Sequence, residues 1–142
     1  MEYRIDDKDR KILEMLRKNS REPIRDIAAK TGIRPSTVHK RITGLLDKGV
    51  IESFTVKLKN SAVDEGLLVY MLVATDQHIS DKVFLSRHIK EVSGITGEYD
   101  LILKMKFRDV EEFNSYIIKF RKENRLRKTL TMVSTIGIKE EL

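Results

Sequence analysis

The apolar positions at the start of the chain recur every three or four residues, which is the spacing of one face of an α-helix. Asp6 and Asp9 suit the capping positions of a first helix. Pro23 suits the first turn of a second, short helix, which Gly32 ends. The inward positions are Ile12, Leu13 and Leu16 in the first helix and Ile24, Ile27 and Ala28 in the second.

A third helix is predicted to begin at Pro35 and to end at Lys48 and Gly49. Its apolar residues form one stripe, and its polar residues occupy the opposite side at about 100° per residue. Gly44 lies inside this helix, where glycine costs about 1 kcal/mol relative to alanine. The stripe comprises Val38, Ile42, Leu45 and Leu46, and the opposite side comprises Ser36, Lys40, Thr43 and Asp47.

A short helix, a tight glycine turn and a second amphipathic helix with a basic polar side are typical of a helix-turn-helix. A helix that enters the major groove must present short or hydrogen-bonding side chains to the base edges. The alternative is a plain three-helix bundle with a solvated polar side. The predicted DNA-contacting residues are Ser36, Thr37, His39, Lys40, Arg41 and Thr43 on the third helix, with Arg21, Arg25, Arg34 and Lys48 placed for backbone phosphates.

Polar and apolar residues alternate from Ser53 onward, which predicts a strand with Phe54, Val56 and Leu58 on one face. The polar stretches at 59–61 and 64–66 then indicate a boundary between domains. We therefore predict three parts of the chain. These are a helix-turn-helix domain over residues 1–50, a connecting strand and linker over 51–66, and a second domain over 67–142.

The second domain shows the order β-α-β-β-α-β, which is the ferredoxin-like split arrangement. Residues 67–75 are a nearly continuous apolar run, as in a strand that is buried on both faces. A second copy of the chain is the favoured cover for the open face of the sheet, and the chain's own linker is the alternative. A predicted helix from Ser80 carries Val83, Phe84 and Ile89, and two strands follow at 94–98 and 101–107. Asp109 and Glu112 cap the next helix, whose inward residues are Val110, Phe113, Tyr116, Ile117 and Phe120. The last strand covers 129–139, with Leu130, Met132 and Ile136 on one face.

The positive charge of the chain is concentrated in its first part. Residues 1–60 contain 15 Lys+Arg against 9 Asp+Glu, whereas residues 61–142 contain 13 of each. A basic module beside a neutral one favours a polyanion-binding module with a separate second function. A solvated basic surface is the alternative explanation of the same charge.

The composition argues against several kinds of site. The chain has no cysteine, which excludes disulfides, thiolate zinc sites and cysteine nucleophiles. Its histidines are His39, His78 and His88, and their spacing does not resemble a metal site. No apolar run approaches the roughly 18 residues of a membrane-spanning helix. We therefore expect no metal, no cofactor and no membrane association.

These residues resemble the Lrp/AsnC (feast/famine) family of transcription regulators over essentially the whole chain. The matching segments, in order, are DDKDRKILEMLRKNSR, PIRDIAAKTGIRPSTVHKRITGLLDKGVIESFTVKL, SGITGEYDLILKMKF and RKTLTMVSTIGIKE. The resemblance implies a cytoplasmic regulator that binds double-stranded DNA, dimerises through its sheets and often assembles into larger oligomers of dimers. One departure concerns Arg34, which stands at the N-cap of the third helix where the family often has serine.

The resemblance also implies an amino acid or a related metabolite as an effector, bound between dimers. The matching ligand positions are Gly97, Tyr99 and Asp100 in one loop, with Thr129 and Thr131 on the last strand. Glycine lets the backbone approach a ligand closely, and a carboxylate and hydroxyls could bind an α-ammonium and an α-carboxylate. The alternative is that Tyr99 and Asp100 form only a turn between strands.

The leading hypothesis is therefore a sequence-specific DNA-binding transcription regulator that is not an enzyme, with an amino acid or a similar metabolite modulating its assembly or DNA affinity. One alternative is an enzyme resembling the siroheme decarboxylases, which share this two-part fold. Such an enzyme would need histidines and basic residues around a tetrapyrrole, and the second domain contains only His78 and His88. The other alternative is a metabolite sensor that does not bind DNA.

Overall fold

A computed structural model describes residues 4–141 of the chain. Residues 1–3 and 142, at the outer ends of the predicted domains, lie outside the described range. The chain divides into two compact units, one of which ends at Lys57 while the other is Leu58–Glu141. The helical unit and the sheet-containing unit confirm the predicted α+β fold class.

The first unit contains three helices, α1 (Asp7–Lys18), α2 (Ile24–Thr31) and α3 (Pro35–Asp47). Their apolar sides form one core, because each helix has one apolar stripe that folding removes from water. Asp6 and Asp9 cap α1 reciprocally, as predicted: each carboxylate accepts a hydrogen bond from the backbone N–H of the other residue. The buried members of this core are Ile12, Leu16, Ile27, Ala28, Ile33 and Val38.

The helix ends follow the sequence closely. Pro23 is the N-cap of α2, one position before the first turn where we expected it. Gly32 ends α2 in the left-handed conformation, with φ of 71°. Pro35 occupies the first turn of α3, and the N-cap Arg34 makes no side-chain capping hydrogen bond. The loss of a serine-type cap is therefore not replaced within α3.

The strand predicted from Ser53 to Leu58 is not formed. The backbone there belongs to no helix or strand, and the side chains of Phe54, Val56 and Leu58 are exposed. A strand needs a neighbouring strand that supplies hydrogen-bond partners, and none of the described strands lies next to this segment in the sheet. The alternating pattern alone therefore does not create a strand.

The second unit contains a four-stranded antiparallel sheet. Its strands are β1 (Leu67–Ala74), β2 (Ile89–Gly94), β3 (Leu101–Phe107) and β4 (Lys128–Val133), in the spatial order β2-β3-β1-β4. The connections carry α4 (Asp81–Phe84) after β1 and α5 (Val110–Glu123) after β3. This order confirms the predicted ferredoxin-like arrangement.

The two faces of this sheet are buried to different extents. Val69, Met71 and Val73 of β1 are fully buried and share a core with Ile117 and Phe120 of α5. The alternate residues of β1, Leu68, Tyr70 and Leu72, are only partly buried. Within one chain the helices therefore bury β1 on one face only, and the burial of its other face by a second copy stays a prediction.

Two predicted elements between β1 and β3 are wrong. The helix from Ser80 is a single turn, and Ile89 lies in β2, opposite Met105 of β3. The strand predicted at 94–98 is a loop apart from Gly94, which ends β2. The register of β2 shifts between Ile89 and Glu91. Because of this shift, Ile89 and Val92 lie on the same face of β2 although they are three residues apart. A spacing of three apolar positions is typical of a helix.

The ends of the last two elements also differ from the prediction. Strand β4 ends at Val133, near the point where its partner β1 begins, so Ile136 lies beyond the sheet and is exposed. Asp109 caps α5, but the carboxylate of Glu112 accepts a hydrogen bond from the N–H of Arg108 and not from that of Asp109. Val110, which was predicted to face inward, is exposed.

Two glycines of the first unit provide a matched test of this fold. A Cβ at Gly44, inside α3, would meet no atom within 4 Å, whereas Gly32 has φ of +71°. We expect Gly44→Ala to raise the free energy of unfolding by about 1 kcal/mol through helix propensity. We expect Gly32→Ala to lower it by about 1–2 kcal/mol through left-handed backbone strain. Urea denaturation followed by circular dichroism measures both, and destabilisation by Gly44→Ala would contradict the described packing of α3.

Candidate DNA interface and candidate ligand site

The orientation of α3 is set by its buried residues. Val38 and Leu45 are fully buried, and Ile42 lies partly buried between them. Because successive residues of a helix are separated by about 100°, the opposite side must face solvent. The exposed residues on that side form what we call the α3 outer surface, which comprises Ser36, His39, Lys40 and Thr43. Thr37 lies at its edge and is partly buried.

The arginines predicted to contact phosphates are also exposed. Arg21, Arg25 and Arg34 all present their side chains to solvent. Arg25 approaches Asp26 at 3.5 Å in an exposed ion pair, and such pairs are weak in water. Arg21 follows Asn19, whose side-chain oxygen accepts a hydrogen bond from the backbone N–H of Arg21. These guanidinium groups are therefore available to a polyanion.

Arg41 is placed differently from the other predicted DNA-contacting residues. Its Nη1 lies 2.7 Å from both carboxylate oxygens of Asp6 and 2.9 Å from Oδ1 of Asp9. The Arg41 side chain is 26% exposed, and that of Asp9 is 1% exposed. The guanidinium of Arg41 lowers the pKa of Asp6, chiefly through the hydrogen bond between them. Arg41 thus forms ion pairs with two residues at the start of α1. In the sequence, the opposite charges of these residues were the one indication of the contact.

The predicted ligand loop lies in the second unit, between β2 and β3. Gly97 has φ of 115°, a conformation that side chains rarely adopt. The N–H of Asp100 donates to the carbonyl oxygen of Val73 at 2.9 Å. Oδ2 of Asp100 accepts a hydrogen bond from the N–H of Thr75 at 2.8 Å. Asp100 therefore joins the loop to the end of β1.

Lys128, at the start of β4, contacts the same loop. Its Nζ lies 2.6 Å from Oε1 of Glu98 and 5.0 Å from the centre of the Tyr99 ring. The hydrogen bond to Lys128 lowers the pKa of Glu98, and the same bond raises the pKa of Lys128. The loop is thus held from both neighbouring strands. Lys128 and Glu98 were not predicted as site residues, since neither residue had a spacing that indicated the contact.

The two predicted threonines lie on the face of the sheet that the helices cover. Thr129 pairs with Val73 and Thr131 with Met71, so their side chains point to the same face as those buried residues. Oγ1 of Thr129 accepts a hydrogen bond from Nη2 of Arg121 at 3.1 Å. Oγ1 of Thr131 is buried and has no hydrogen-bond partner among the described residues. Thr129 therefore lies near the start of β4, which contacts the predicted ligand loop, whereas Thr131 lies farther along β4.

A second polar region lies where β3 ends and α5 begins. A cavity of about 160 Å³ is lined mainly by charged residues from four segments. His88 stacks on Phe107 at 4.7 Å between ring centres, and its Nδ1 lies 3.1 Å from the carbonyl oxygen of Lys106. This cavity was not predicted, because the residues that line it are scattered along the chain. They are Val63, Asp64, Glu65, Arg87, His88, Lys106, Arg108 and Glu112.

Two kinds of site are missing from the part of the chain that the structure describes. Within residues 4–141, no three His, Asp or Glu side chains come together as they would around a metal ion. None of the described helices combines the length and apolarity that crossing a membrane requires.

The chain combines a helix-turn-helix unit with an antiparallel ferredoxin-like unit. Residues 5–52 match the family model for winged helix-turn-helix DNA-binding domains. Residues 69–141 match that for the Lrp/AsnC ligand binding domain. An HTH-type transcriptional regulator of Pyrococcus horikoshii is 34% identical, with 97% of each chain covered. The chain belongs to the Lrp/AsnC family of transcription regulators.

Solved structures have the same fold. An AsnC family transcriptional regulator from Agrobacterium tumefaciens superposes with a TM-score of 0.90 at 22% identity, covering 96% of this chain and 94% of that one. A transcriptional regulator from Neisseria meningitidis, solved as a complex with L-Met, gives a TM-score of 0.88 at 21% identity over 97% of this chain and 94% of that one. At these identities the similarity establishes the fold.

The contact between Lys128 and Glu98 makes the loop sensitive to pH. A carboxyl group whose pKa is lower in the folded chain than in the unfolded chain stabilises the fold at pH values above the unfolded pKa. This stabilisation is lost as the pH falls through the folded pKa. We expect Lys128→Gln to raise the pKa of Glu98 toward its ordinary value, as measured by carboxyl NMR titration. Arg127→Gln is the control, because Arg127 lowers the pKa of Glu98 less than Lys128 does and its loss should shift that pKa less. Equal shifts in both variants would contradict the described contact.

Proposed function

We propose that this transcription regulator recognises specific sequences of double-stranded DNA by placing the α3 outer surface in the major groove. The observation that carries the proposal is the fixed orientation of α3. Burial of Val38 and Leu45 leaves Ser36, Lys40 and Thr43 as the side that meets solvent. Hydroxyl and ammonium groups are suitable donors to the acceptor atoms on base edges.

The remaining exposed cations suit the DNA backbone. Arg21, Arg25 and Arg34 would bind phosphates, which gives affinity and register but little sequence preference. His39 within the α3 outer surface and Thr37 at its edge would contact bases or the rim of the groove. Arg41 is excluded from this set because its guanidinium already binds two carboxylates.

The regulator acts, in this proposal, as a homodimer and as larger oligomers of dimers in the cytoplasm. One face of the sheet has no helix over it, and it presents the partly buried Leu72 together with Leu130 and Met132, which are exposed. A second copy that covers this face would remove apolar surface from water. Two copies would also present two α3 helices to a site with approximate two-fold symmetry.

An amino acid or a related small metabolite is the proposed effector, and it modulates assembly or DNA affinity. The support is the loop with Gly97 in a glycine-type conformation, beside Tyr99 and Asp100. Asp100 would bind the ammonium group of the effector, and the hydroxyls of Thr129 and Thr131 would serve its carboxylate. A structural relative was solved as a complex with L-Met, which is consistent with this class of ligand.

The regulator is proposed to have no enzymatic activity, and no observation favours the siroheme-decarboxylase-like alternative. Of the two histidines in the second unit, His88 is partly buried, stacks on Phe107 and is near Glu112, with 3.9 Å between Nε2 and Oε1. Its ring is therefore packed in the protein. His78 is exposed. The alternative of a metabolite sensor that does not bind DNA is tested by selection of duplexes from a random pool.

A pair of charge-removing variants tests the DNA interface. We expect Lys40→Ala to weaken binding to a duplex that the wild-type protein selects from a random pool by about tenfold, the scale of one lost base contact. Arg25→Ala should weaken binding to selected and unrelated duplexes by the same factor and reduce the slope of log affinity against log salt by about 1. Gel shifts across a salt series measure both effects.

The control for these variants is Lys122→Ala, which removes one positive charge from the exposed surface of α5. It should leave both binding constants close to those of the wild-type chain. If the wild-type protein enriches no sequence from the pool at low salt, the proposed DNA recognition is wrong. A metabolite-dependent change in assembly in that case would support the sensor alternative.

The effector proposal is tested at Asp100. We expect Asp100→Asn to weaken binding of a stabilising amino acid about tenfold or more, because the ammonium group loses its charged partner. Thermal shift assays across the proteinogenic amino acids identify a ligand, and calorimetry then compares the variants. Asp76→Asn is the matched control, since Asp76 is an exposed carboxylate near Arg127. Equal affinities for Asp100→Asn and the wild-type chain would remove Asp100 from the site.

A further inference from the structure

Three charged side chains connect the first helix of the DNA-binding unit to the helix that faces DNA. We call Asp6, Asp9 and Arg41 the Arg41 cluster. We propose that Arg41 is a positioning residue for DNA recognition, which fixes the rotation of α3 relative to α1 through its bonds to Asp6 and Asp9. The inference rests on the proposed role of the α3 outer surface, and it assigns to Arg41 a function other than direct DNA contact.

The geometry of the Arg41 cluster is specific. Nη1 of Arg41 is within 2.9 Å of oxygens from both carboxylates, and the Asp9 side chain is 1% exposed. Asp6 and Asp9 also form the reciprocal cap of α1. The two carboxylates therefore bind the backbone at the start of α1 and the guanidinium on α3 at the same time. The beginning of α1 and the middle of α3 are joined in one hydrogen-bonded group.

This group supplies a constraint that the apolar core cannot supply alone. Ile12 of α1 and Val38 of α3 share the core of the unit, but the hydrophobic effect has no preferred direction. Hydrogen bonds between charged groups are directional and depend on the angle between donor and acceptor. Arg41 directly follows Lys40 in the sequence, so a rotation of α3 that breaks its contacts also moves Lys40 away from its base.

The alternative role for Arg41 is a direct phosphate contact. The described contacts of Arg41 with the two carboxylates all involve Nη1, so the other N–H groups of the guanidinium could bind a phosphate while these contacts persist. The two roles predict effects of opposite sign when an acidic residue is neutralised. Removing a negative charge from a DNA-binding unit strengthens binding to any DNA by simple electrostatics. A loss of specific binding after such a change therefore requires a positional cause.

The experiment compares Asp9→Asn, Arg41→Gln and the double variant in the full-length chain. The probes are a duplex selected by the wild-type protein from a random pool and poly(dI-dC). We expect Asp9→Asn to weaken binding to the selected duplex about tenfold, the scale of one base contact, and to leave poly(dI-dC) binding equal or stronger. Arg41→Gln should lose specific binding to a similar extent. The double variant should lose no more than the larger single loss, since both changes break one interaction.

Two further variants separate positioning from charge and from unfolding. Arg10→Gln removes a positive charge from the exposed surface of α1, and it should not reduce the preference for the selected duplex. Arg41→Lys keeps the charge but lacks the planar fork of arginine, so it should recover only part of the lost preference. Circular dichroism and the amide NMR shifts of Lys40 and Thr43 show whether α3 remains folded and whether it has moved.

The outcomes are distinct from those for the proposed function. If the wild-type chain enriches no duplex, both the proposed function and this inference are overturned. The inference alone is overturned if the wild-type chain prefers the selected duplex and Asp9→Asn binds both probes at least as tightly as the wild-type chain. If Arg41→Gln lowers binding to both probes by the same factor, Arg41 is a phosphate contact. Selective loss in folded Asp9→Asn and Arg41→Gln proteins supports positioning.

Discussion

The burial of one side of α3 is the constraint on which the DNA-binding unit depends. Val38 and Leu45 are removed from water completely, and this burial determines which polar residues remain outside. The core of a unit of this size is small, so a few apolar side chains decide both its stability and the direction of its basic surface. In the proposed function, structure and recognition are therefore coupled through the same helix, and Arg41 adds polar contacts between that helix and the start of α1.

The sequence predicted the elements whose signals are local. Asp6, Gly32 and Pro35 mark helix ends by mechanisms that act within a few residues, and the structure has them at those ends. The antiparallel sheet and its helices were also predicted, because the order of apolar segments restricts the possible topologies. The candidate DNA residues on α3 followed from the helical period, which the buried positions of α3 reproduce.

The remaining differences have non-local causes. The segment around Val56 has a strand pattern but no described strand pairs with it, and β4 ends at Val133, close to the start of β1. The register shift in β2 places apolar residues of this strand three positions apart, which is a helical spacing. The Arg41 cluster joins residues 32 positions apart, and the contact of Lys128 with Glu98 spans 30. Spacing within one element contains no information about such contacts.

The single turn of α4 has a consequence for the motions of the second unit. Four residues make a helix far too short to be stable by its own hydrogen bonds, so this segment depends on the burial of Ile79 and the partial burial of Phe84. Helix α4 is much shorter than α5, which has 14 residues. Amide hydrogen exchange should therefore begin at this connection through local opening, while the amides of β1 exchange only when the whole unit unfolds.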